Sequence, residues 1–445
     1  MNKYLSVSNI SIIILFWIIA IRSVSADSGI KELNIDGLRV IIKQTPKEVV
    51  SARFFISGGT SNYPLDKQGI ESVALNTALN GGTTSMNKTQ FKTAVEKIGT
   101  NLDYSSSLDY SQMSMTCIKP FWDQSWALFA DAIMNPAFDP NEFSLILDQM
   151  VSNAKQSEEN PDAALARLAN GFAFKGKNYE KDPNGTSESL SGLKVDLTKS
   201  YYKNTVGKAR CFLVIVGNLT EEEITAKVRA TLAKLPGGTS AKLEQRYLIT
   251  KGAENIVERD IATNYLSGIM SSASLNSPEG IPMMMAMSIM YDRFFVELRT
   301  KRSLSYAPAA YINTDAVISP YSQVYISTDS PKKSIQVMVD LLNDIKKVGF
   351  KEEELVNKKE GFLTNYLIQL ETAAQQSLAI GKWNVRGNWK MYDEFVERVN
   401  KTTLKDLNRV MDQNTNAIVW TYLGKKIDIS PEDFKQTEVF QNKPY

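Results

Sequence analysis

The sequence predicts an α+β protein built from two tandem domains of similar fold. The chain has 445 residues, which is too long for a single hydrophobic core. The same order of strand-like and helix-like stretches recurs after about 210 residues. Within each copy, strands and helices are mixed without the regular alternation that builds a parallel sheet. We therefore expect each domain to be a mostly antiparallel sheet packed with helices.

Residues 1–26 have the features of a secretory signal peptide. Lys3 supplies a positive charge, a mostly apolar run extends from Ile10 to Ile21, and small residues precede Asp27. The run is short for a membrane span, so we predict cleavage and export to the periplasm or the exterior. Retention of the segment as a membrane anchor is the alternative.

The overall composition excludes several classes of function. The 51 basic and 49 acidic residues give a formal net charge of +2, which does not favour nucleic acid as a partner. The chain contains no histidine. Catalysis by a Ser–His or Cys–His pair and a His-ligated zinc on this chain are therefore excluded.

The chain contains two cysteines, Cys117 and Cys211, and each lies in an apolar, strand-like stretch. An oxidising compartment would permit a disulfide between them, whereas buried free thiols are equally consistent with such surroundings. Both possibilities remain open.

The internal repeat is defined by a nearly constant offset. The strand-like stretches Ser111–Met115 and Ser322–Ile326 lie 211 residues apart, and an amphipathic helical stretch follows each of them. Three pairs of apolar residues in these helices match at an offset of 212: Trp126 with Met338, Ala130 with Leu342, and Ile133 with Ile345. Further along, Leu197 matches Leu404 at an offset of 207. Several matches in one order predict a duplicated domain.

The boundary between the two copies is predicted from turn-forming residues. Residues 235–240 read LPGGTS, which is rich in turn formers and polar residues. We predict a first domain over residues 27–235, a linker over 236–252 and a second domain over 253–445. The Asp36–Gly37 pair between two strand-like stretches predicts a β-hairpin near the start of the first domain.

Four stretches together resemble the insulinase/pitrilysin superfamily of zinc peptidases. They are VVSARFFISGGTSNYP, KQGIESVALNTALNGGTT, NPDAALARLANGFAF and DRFFVELRTKRSLSY. The chain is most similar to the two-domain branch that contains the processing peptidases, and to the non-catalytic subunits of that branch. The resemblance implies two similar domains that together form half of a clamshell.

In active members of this superfamily, a helix carries H-x-x-E-H, with two histidines as zinc ligands and the glutamate as general base. The resemblance places Ser72 and Asn76 at the histidine positions, Leu75 at the glutamate position and Asn153 at the position of a further acidic ligand. These side chains are poor ligands, and leucine cannot act as a base. We therefore expect neither zinc nor another cofactor on this chain, and the stretch 68–80 to be a packed helix.

The resemblance also implies a substrate-binding pair in the second domain. Active members need an arginine and a tyrosine seven residues apart, which contact the substrate backbone near the zinc. Arg299 and Tyr306 match these positions. A guanidinium and a phenol can donate hydrogen bonds to an oxygen that gains negative charge. The alternative is that Arg299 is a surface residue and Tyr306 a core residue without a binding role.

A methionine cluster lies just upstream of this pair, at Met283, Met284, Met285, Met287 and Met290. Such a cluster could line a peptide-binding surface, although buried helix packing is the commoner role.

Together these features predict a non-catalytic subunit of an exported, heterodimeric zinc metallopeptidase. A catalytic sister chain would hold the zinc, and a peptide or an unfolded protein would be the substrate. The alternatives are a structural scaffold and a peptide-binding protein of the same fold without a protease role. A homodimer is the alternative assembly.

Overall fold

The computed structural model describes residues 29–242 and 244–435. The predicted signal peptide lies outside the described residues. Within the described part, no helix is both long enough and apolar enough to cross a membrane.

The first half of the chain forms a six-stranded sheet in the order β1-β2-β6-β3-β5-β4. All neighbouring strands are antiparallel except β2 and β6, which are parallel. The strands are β1 (Ile30–Ile35), β2 (Leu38–Gln44), β3 (Val49–Ser57), β4 (Asn101–Ser106), β5 (Tyr110–Ile118) and β6 (Cys211–Gly217).

The second half forms a five-stranded sheet in the order β7-β11-β8-β10-β9. This order repeats that of the first sheet without a counterpart of β1, and again one pair, here β7 and β11 at the edge, is parallel. The strands are β7 (Ala253–Glu258), β8 (Asn264–Ser271), β9 (Ala309–Ile312), β10 (Tyr321–Thr328) and β11 (Val419–Gly424). The predicted fold class, two like α+β domains with mainly antiparallel sheets, is confirmed.

Helices connect and cover the strands in both halves. In the first half they are α1 (Ile70–Asn80), α2 (Lys88–Lys97), α3 (Trp122–Met134), α4 (Pro140–Glu159), α5 (Pro161–Ala173), α6 (Ser187–Ser191), α7 (Val195–Thr205) and α8 (Glu221–Ala230). In the second half they are α9 (Gly280–Phe294), α10 (Pro331–Val348), α11 (Glu352–Ile368), α12 (Ala373–Val385), α13 (Met391–Lys401), α14 (Leu404–Asn414) and α15 (Pro431–Lys435).

Residues matched by the sequence repeat lie in corresponding helices. Trp126 in α3 and Met338 in α10 are both fully buried, and each helix follows the strand that the repeat also matches. Leu197 in α7 and Leu404 in α14 lie in the helices that precede β6 and β11. The nearly constant offset therefore reflects a repeated order of elements.

The hairpin between β1 and β2 forms where Asp36 and Gly37 were expected to place it. Both residues have positive φ, 50° and 90°, and the side chain of Asn34 accepts a hydrogen bond from the Gly37 amide. Positive φ at both central positions is the geometry that a two-residue hairpin requires.

Each sheet is covered on one face by a helix from the other half of the chain. Helix α5 of the first half packs on β8 and β11, and α12 of the second half packs on β3 and β6. At the α12 contact, Arg53 donates hydrogen bonds to the Ala374 carbonyl (3.2 Å) and the Ser377 hydroxyl (2.9 Å). The two halves are thus joined through the middle of both sheets.

The contact between α12 and the first sheet depends on a glycine. A Cβ atom at Gly381 would lie 2.0 Å from the ring of Phe55, a fully buried residue of β3. The absence of a side chain at position 381 therefore allows the helix to approach the sheet this closely.

A second link between the halves is built around the buried carboxyl group of Asp109. One oxygen of Asp109 accepts hydrogen bonds from the Tyr179 hydroxyl (2.6 Å) and from the amide of Ile318 in the second half (2.8 Å). The Tyr179 oxygen in turn accepts from the Ser319 amide (3.0 Å). Burial raises the pKa of Asp109 to about 6, although the hydrogen bond from Tyr179 opposes the shift.

The two cysteines are free and buried. Cys117 pairs with Val50 and Cys211 with Ile56, near opposite ends of β3. Six residues of strand correspond to about 20 Å, so the structure resolves the open question in favour of two buried thiols.

We predict that Gly381→Ala lowers the free energy of unfolding by about 1–3 kcal/mol, because the added methyl group overpacks the α12 contact with Phe55. Gly361→Ala in α11 is the matched control, since nothing lies within 4 Å of its Cβ position. This control should be neutral or stabilising by up to about 1 kcal/mol, because alanine is the better helix former. Urea unfolding measures both, and equal effects would contradict the proposed close approach.

We predict that Asp109 makes stability depend on pH in the acidic range. Because its pKa is higher in the folded chain than the ordinary value of about 3.9, its stabilising contribution is present below pH 4. That contribution is lost as the pH rises through about 6. The free energy of unfolding of the wild type, relative to Asp109→Asn, should therefore fall by up to about 3 kcal/mol between pH 4 and pH 7. Urea unfolding at several pH values tests this, and a constant difference would refute it.

Candidate functional site

Helix α1 carries three of the four positions at which active superfamily members bind and use zinc. The helix starts after Gly69, whose φ is 88°, and ends at Gly81. Ser72 and Leu75 are buried, and Leu75 packs in the core of the first half. Asn76 is half-buried.

The polar side chains at these positions make hydrogen bonds with neutral groups. The Ser72 hydroxyl donates a long hydrogen bond to the side-chain oxygen of Asn184 (3.4 Å). It also lies within hydrogen-bonding distance of the phenol of Tyr104 on the edge strand β4. Asn76 accepts a hydrogen bond from Asn80 one turn later (2.9 Å). Hydroxyl and amide groups are weak ligands for zinc.

Asn153, the fourth candidate, lies in α4 and is exposed. Its side-chain oxygen accepts a hydrogen bond from Gln149 of the same helix (2.8 Å). The residues of α4 that pack toward α1 are apolar and contact the cluster around Ile70 and Val73; they are Leu147, Met150, Val151 and Ala154. The described contacts do not bring Asn153 together with Ser72 or Asn76.

The residues at these four positions do not fit a zinc ion. They provide one hydroxyl, two amides and an aliphatic side chain, whereas zinc sites use thiolate, imidazole and carboxylate groups. In the described part of the chain, no group of three or more Cys, Asp or Glu residues is placed to hold a metal ion.

A buried glutamate beside these positions was not singled out from the sequence. Glu71 accepts a hydrogen bond from Asn62 (2.9 Å), and the hydroxyls of Ser111 and Tyr201 also donate to it. Burial raises its pKa, and the three donors oppose that shift. The carboxyl group therefore ties α1 to β5 and α7. In the sequence, the signal that could have identified Glu71 was a charged residue among the apolar residues of a predicted helix.

Arg299 and Tyr306 are brought together in the second half. Arg299 lies in a π-helical turn, Phe295–Thr300, that continues α9. Its guanidinium carbon is 4.7 Å from the centre of the Phe295 ring and 4.1 Å from that of Tyr306. Tyr306 is 80% exposed, so it is not a core residue. The guanidinium of Arg299 thus lies against two rings, one of which is largely exposed.

Among the described residues, this pair carries one positive charge that no carboxylate neutralises. Glu297 binds both Lys301 (2.6 Å) and Arg302, and these hydrogen bonds lower its pKa. Within residues 29–242 and 244–435, Arg299 takes part in no ion pair. Its contacts with the rings of Phe295 and Tyr306 do not use its N–H groups as donors to oxygen, so these groups can donate to a ligand.

This geometry can bind an oxygen that carries a full or partial negative charge. A stacked guanidinium offers parallel N–H donors, and the neighbouring phenol offers an O–H donor. No hydrogen bond or ring contact of the described residues joins this pair to the α1 positions. The chain thus has two similar domains, a helix without good metal ligands, and a separate pair of hydrogen-bond donors. This combination is typical of a non-catalytic relative of a two-domain metallopeptidase.

Two family models match consecutive parts of the chain. The model described as Insulinase (Peptidase family M16) matches residues 39–186, and that described as Peptidase M16 inactive domain matches residues 193–362. The chain therefore belongs to the insulinase family, in its non-catalytic-like branch.

Two relatives are similar to this chain over most of its length. An uncharacterized zinc protease of Rickettsia felis is 21% identical over 411 residues, which cover 90% of this chain and 97% of that protein. A non-peptidase homolog, YmxG of Helicobacter pylori, is 20% identical over 361 residues, or 78% and 83% of the two chains.

The crystal structure of a peptidase M16 inactive domain from Pseudomonas fluorescens has the same fold. It matches with a TM-score of 0.82 at 15% identity and covers 90% of this chain and all of that one. At this identity the likeness shows a common fold, and the residues on α1 lack the ligands that active members of the family use.

We predict that the purified chain holds no stoichiometric zinc, because Ser72, Leu75, Asn76 and Asn153 do not supply a ligand set. Elemental analysis after gentle chelation measures this directly. About one zinc per chain that resists chelation would show that other residues bind a metal.

Proposed function

We propose that this chain is the non-catalytic subunit of an exported, heterodimeric zinc metallopeptidase. The observation that carries the proposal is the contrast between its two halves. Helix α1 lacks the metal ligands, whereas Arg299 lies against the exposed ring of Tyr306 in the second half. A pair of donors kept in binding geometry beside an incomplete catalytic site suits a chain that works with a catalytic sister chain.

In this arrangement the sister chain carries H-x-x-E-H and the zinc, which polarises the scissile carbonyl and activates a water molecule when bound. The residues of the present chain bind and orient the substrate. Arg299 and Tyr306 donate hydrogen bonds to a carbonyl oxygen of the substrate backbone as that oxygen gains negative charge. The two sheets and their helices form one wall of the chamber that holds a peptide or an unfolded protein.

Export is supported by the signal-like segment 1–26, which has a positive start, an apolar run and small residues before Asp27. The sister chain would then meet this subunit in the periplasm or outside the cell.

A second candidate function is peptide binding without a protease partner, as a single chain or a homodimer. It is favoured by a pocket of about 180 Å³ between α9, β9 and α11. Its lining is mostly apolar and aromatic, as in pockets that receive side chains. A purely structural scaffold would need neither this pocket nor the exposed donor pair.

We predict that Arg299→Ala lowers the turnover of a reconstituted heterodimer by about 10²–10³, the usual cost of losing one donor to a developing oxyanion. Tyr306→Phe keeps the stacked ring but removes the hydroxyl, so it should also lower turnover while leaving the thermal midpoint unchanged. Native co-purification followed by mass identification supplies the sister chain.

Lys301→Ala is the control, because it removes a neighbouring cation that is already paired with Glu297. Turnover should be unchanged in this variant. Wild-type turnover in both Arg299→Ala and Tyr306→Phe, at saturating sister chain, would leave the protein as a structural subunit and refute the proposed role.

A further inference from the structure

A stripe of side chains along α9 and the π-helical turn that follows it connects the apolar pocket to Arg299. Met284, Met287 and Tyr291 line the pocket, and Phe295 and Arg299 continue the same spacing of three or four residues. The rings of Tyr291 and Phe295 lie 6.3 Å apart, and the ring of Phe295 contacts the Arg299 guanidinium. Because residues three or four apart share one helix face, the pocket and the cation form one continuous surface.

The pocket end of this stripe is apolar and accessible. Tyr291 is 40% exposed and Tyr311 of β9 is 43% exposed, while Ala310 and Ile312 form the buried side of the pocket. Phe362 of α11 closes it from the other side. A volume of about 180 Å³ is sufficient for one large apolar side chain.

The other end of the stripe is positively charged. In the segment 297–302, Glu297 is shared by Lys301 and Arg302, and the charge of Arg299 is left uncompensated among the described residues. A neutral carbonyl oxygen can accept a hydrogen bond from Arg299 but does not neutralise its charge. A carboxylate forms charge-assisted hydrogen bonds with a guanidinium edge, and these are roughly twice as strong as neutral ones.

The distance between the two ends sets the length of the ligand. Eight residues separate Tyr291 from Arg299, which corresponds to about 12 Å along a helix. An extended peptide covers about 3.3 Å per residue. Three to four residues therefore separate a side chain in the pocket from a group at Arg299.

We propose that this surface binds a peptide segment with a large apolar side chain three or four residues before a carboxylate. This proposal rests on the proposed function in that both assign Arg299 to the substrate, and it adds the chemical class of that substrate. The carboxylate is either the carboxyl terminus of the peptide or an acidic side chain.

Isothermal titration of the purified chain with four short peptides tests the proposal. The probes are acetyl-Phe-Ala-Ala-Ala with a free carboxyl terminus, its carboxy-terminal amide, acetyl-Ala-Ala-Ala-Ala with a free carboxyl terminus, and acetyl-Phe-Ala-Ala-Glu-Ala amide. We expect the free acid to bind at least about tenfold more tightly than its amide, because only the acid places a negative charge in hydrogen-bonding contact with the guanidinium. Tight binding of the Glu peptide would assign the site to acidic side chains, and weak binding would assign it to the carboxyl terminus.

Variants of the chain separate the two ends of the surface. Arg299→Gln should abolish the difference between acid and amide, and Tyr291→Ala should weaken the Phe peptides without affecting the Ala peptide. Lys301→Gln is the matched control for loss of a cation and should change affinity by less than about twofold, since exposed ion pairs contribute little. The thermal midpoint of each variant confirms folding.

Equal affinity for the acid and the amide, or an acid preference that survives Arg299→Gln, would overturn the proposal. Failure of all four peptides to bind would also overturn it. These titrations use the chain alone, so neither result tests the heterodimer proposal. That proposal is tested by the turnover of the Arg299 and Tyr306 variants. Conversely, wild-type turnover of a heterodimer that carries Arg299→Ala would refute the proposed catalytic role and leave the peptide-binding result unaffected.

Discussion

The exchange of helices between the two halves is the contact on which the rest of the structure depends. A sheet buried on both faces needs a layer on each side. Here α1 and α3 of the first half cover one face of the first sheet, while α12 of the second half covers the other. Helix α5 performs the reciprocal role on the second sheet. Neither half can bury its own apolar surface without the other.

The same exchange supports the candidate site. Arg299 lies in the π-helical turn that follows α9, and the buried methionines of α9 pack in the large core that also contains Phe55 from the first sheet. The loop after β9 is held by Asp109 and Tyr179 of the first half. The donor pair is thus attached to a platform that both halves complete.

The sequence predicted those features that depend on local pattern or on repetition. The constant offset identified two like domains, Asp36–Gly37 identified a hairpin, and the replacement of histidine by Ser72 and Asn76 indicated an inactive site. It also proposed Arg299 and Tyr306, which the structure places side by side. The methionine cluster is largely core, as the commoner interpretation expected, and only Met284 and Met287 reach the pocket.

Features that depend on long-range contacts were not predictable from the sequence. Glu71 and Asp109 each accept a hydrogen bond from a residue more than 100 positions away, Tyr201 and Ile318 respectively. Phe55 and Gly381, which pack against each other, are 326 residues apart in the sequence. The turn that contains Phe295 and Arg299 is π-helical, with i→i+5 hydrogen bonds, and the residue pattern does not indicate this. In addition, Asn153 was placed by similarity alone, and its exposed position shows how weakly such a match constrains orientation.

The position of α12 in the chain has a consequence for biosynthesis. As the polypeptide grows, β6 completes the first sheet at residue 217, but the helix that covers its outer face is not made until residues 373–385. Over more than 150 residues of synthesis the Phe55 face has no cover, and incompletely covered sheets are prone to aggregate. The topology therefore favours folding of the two halves together, after α12 has been synthesised.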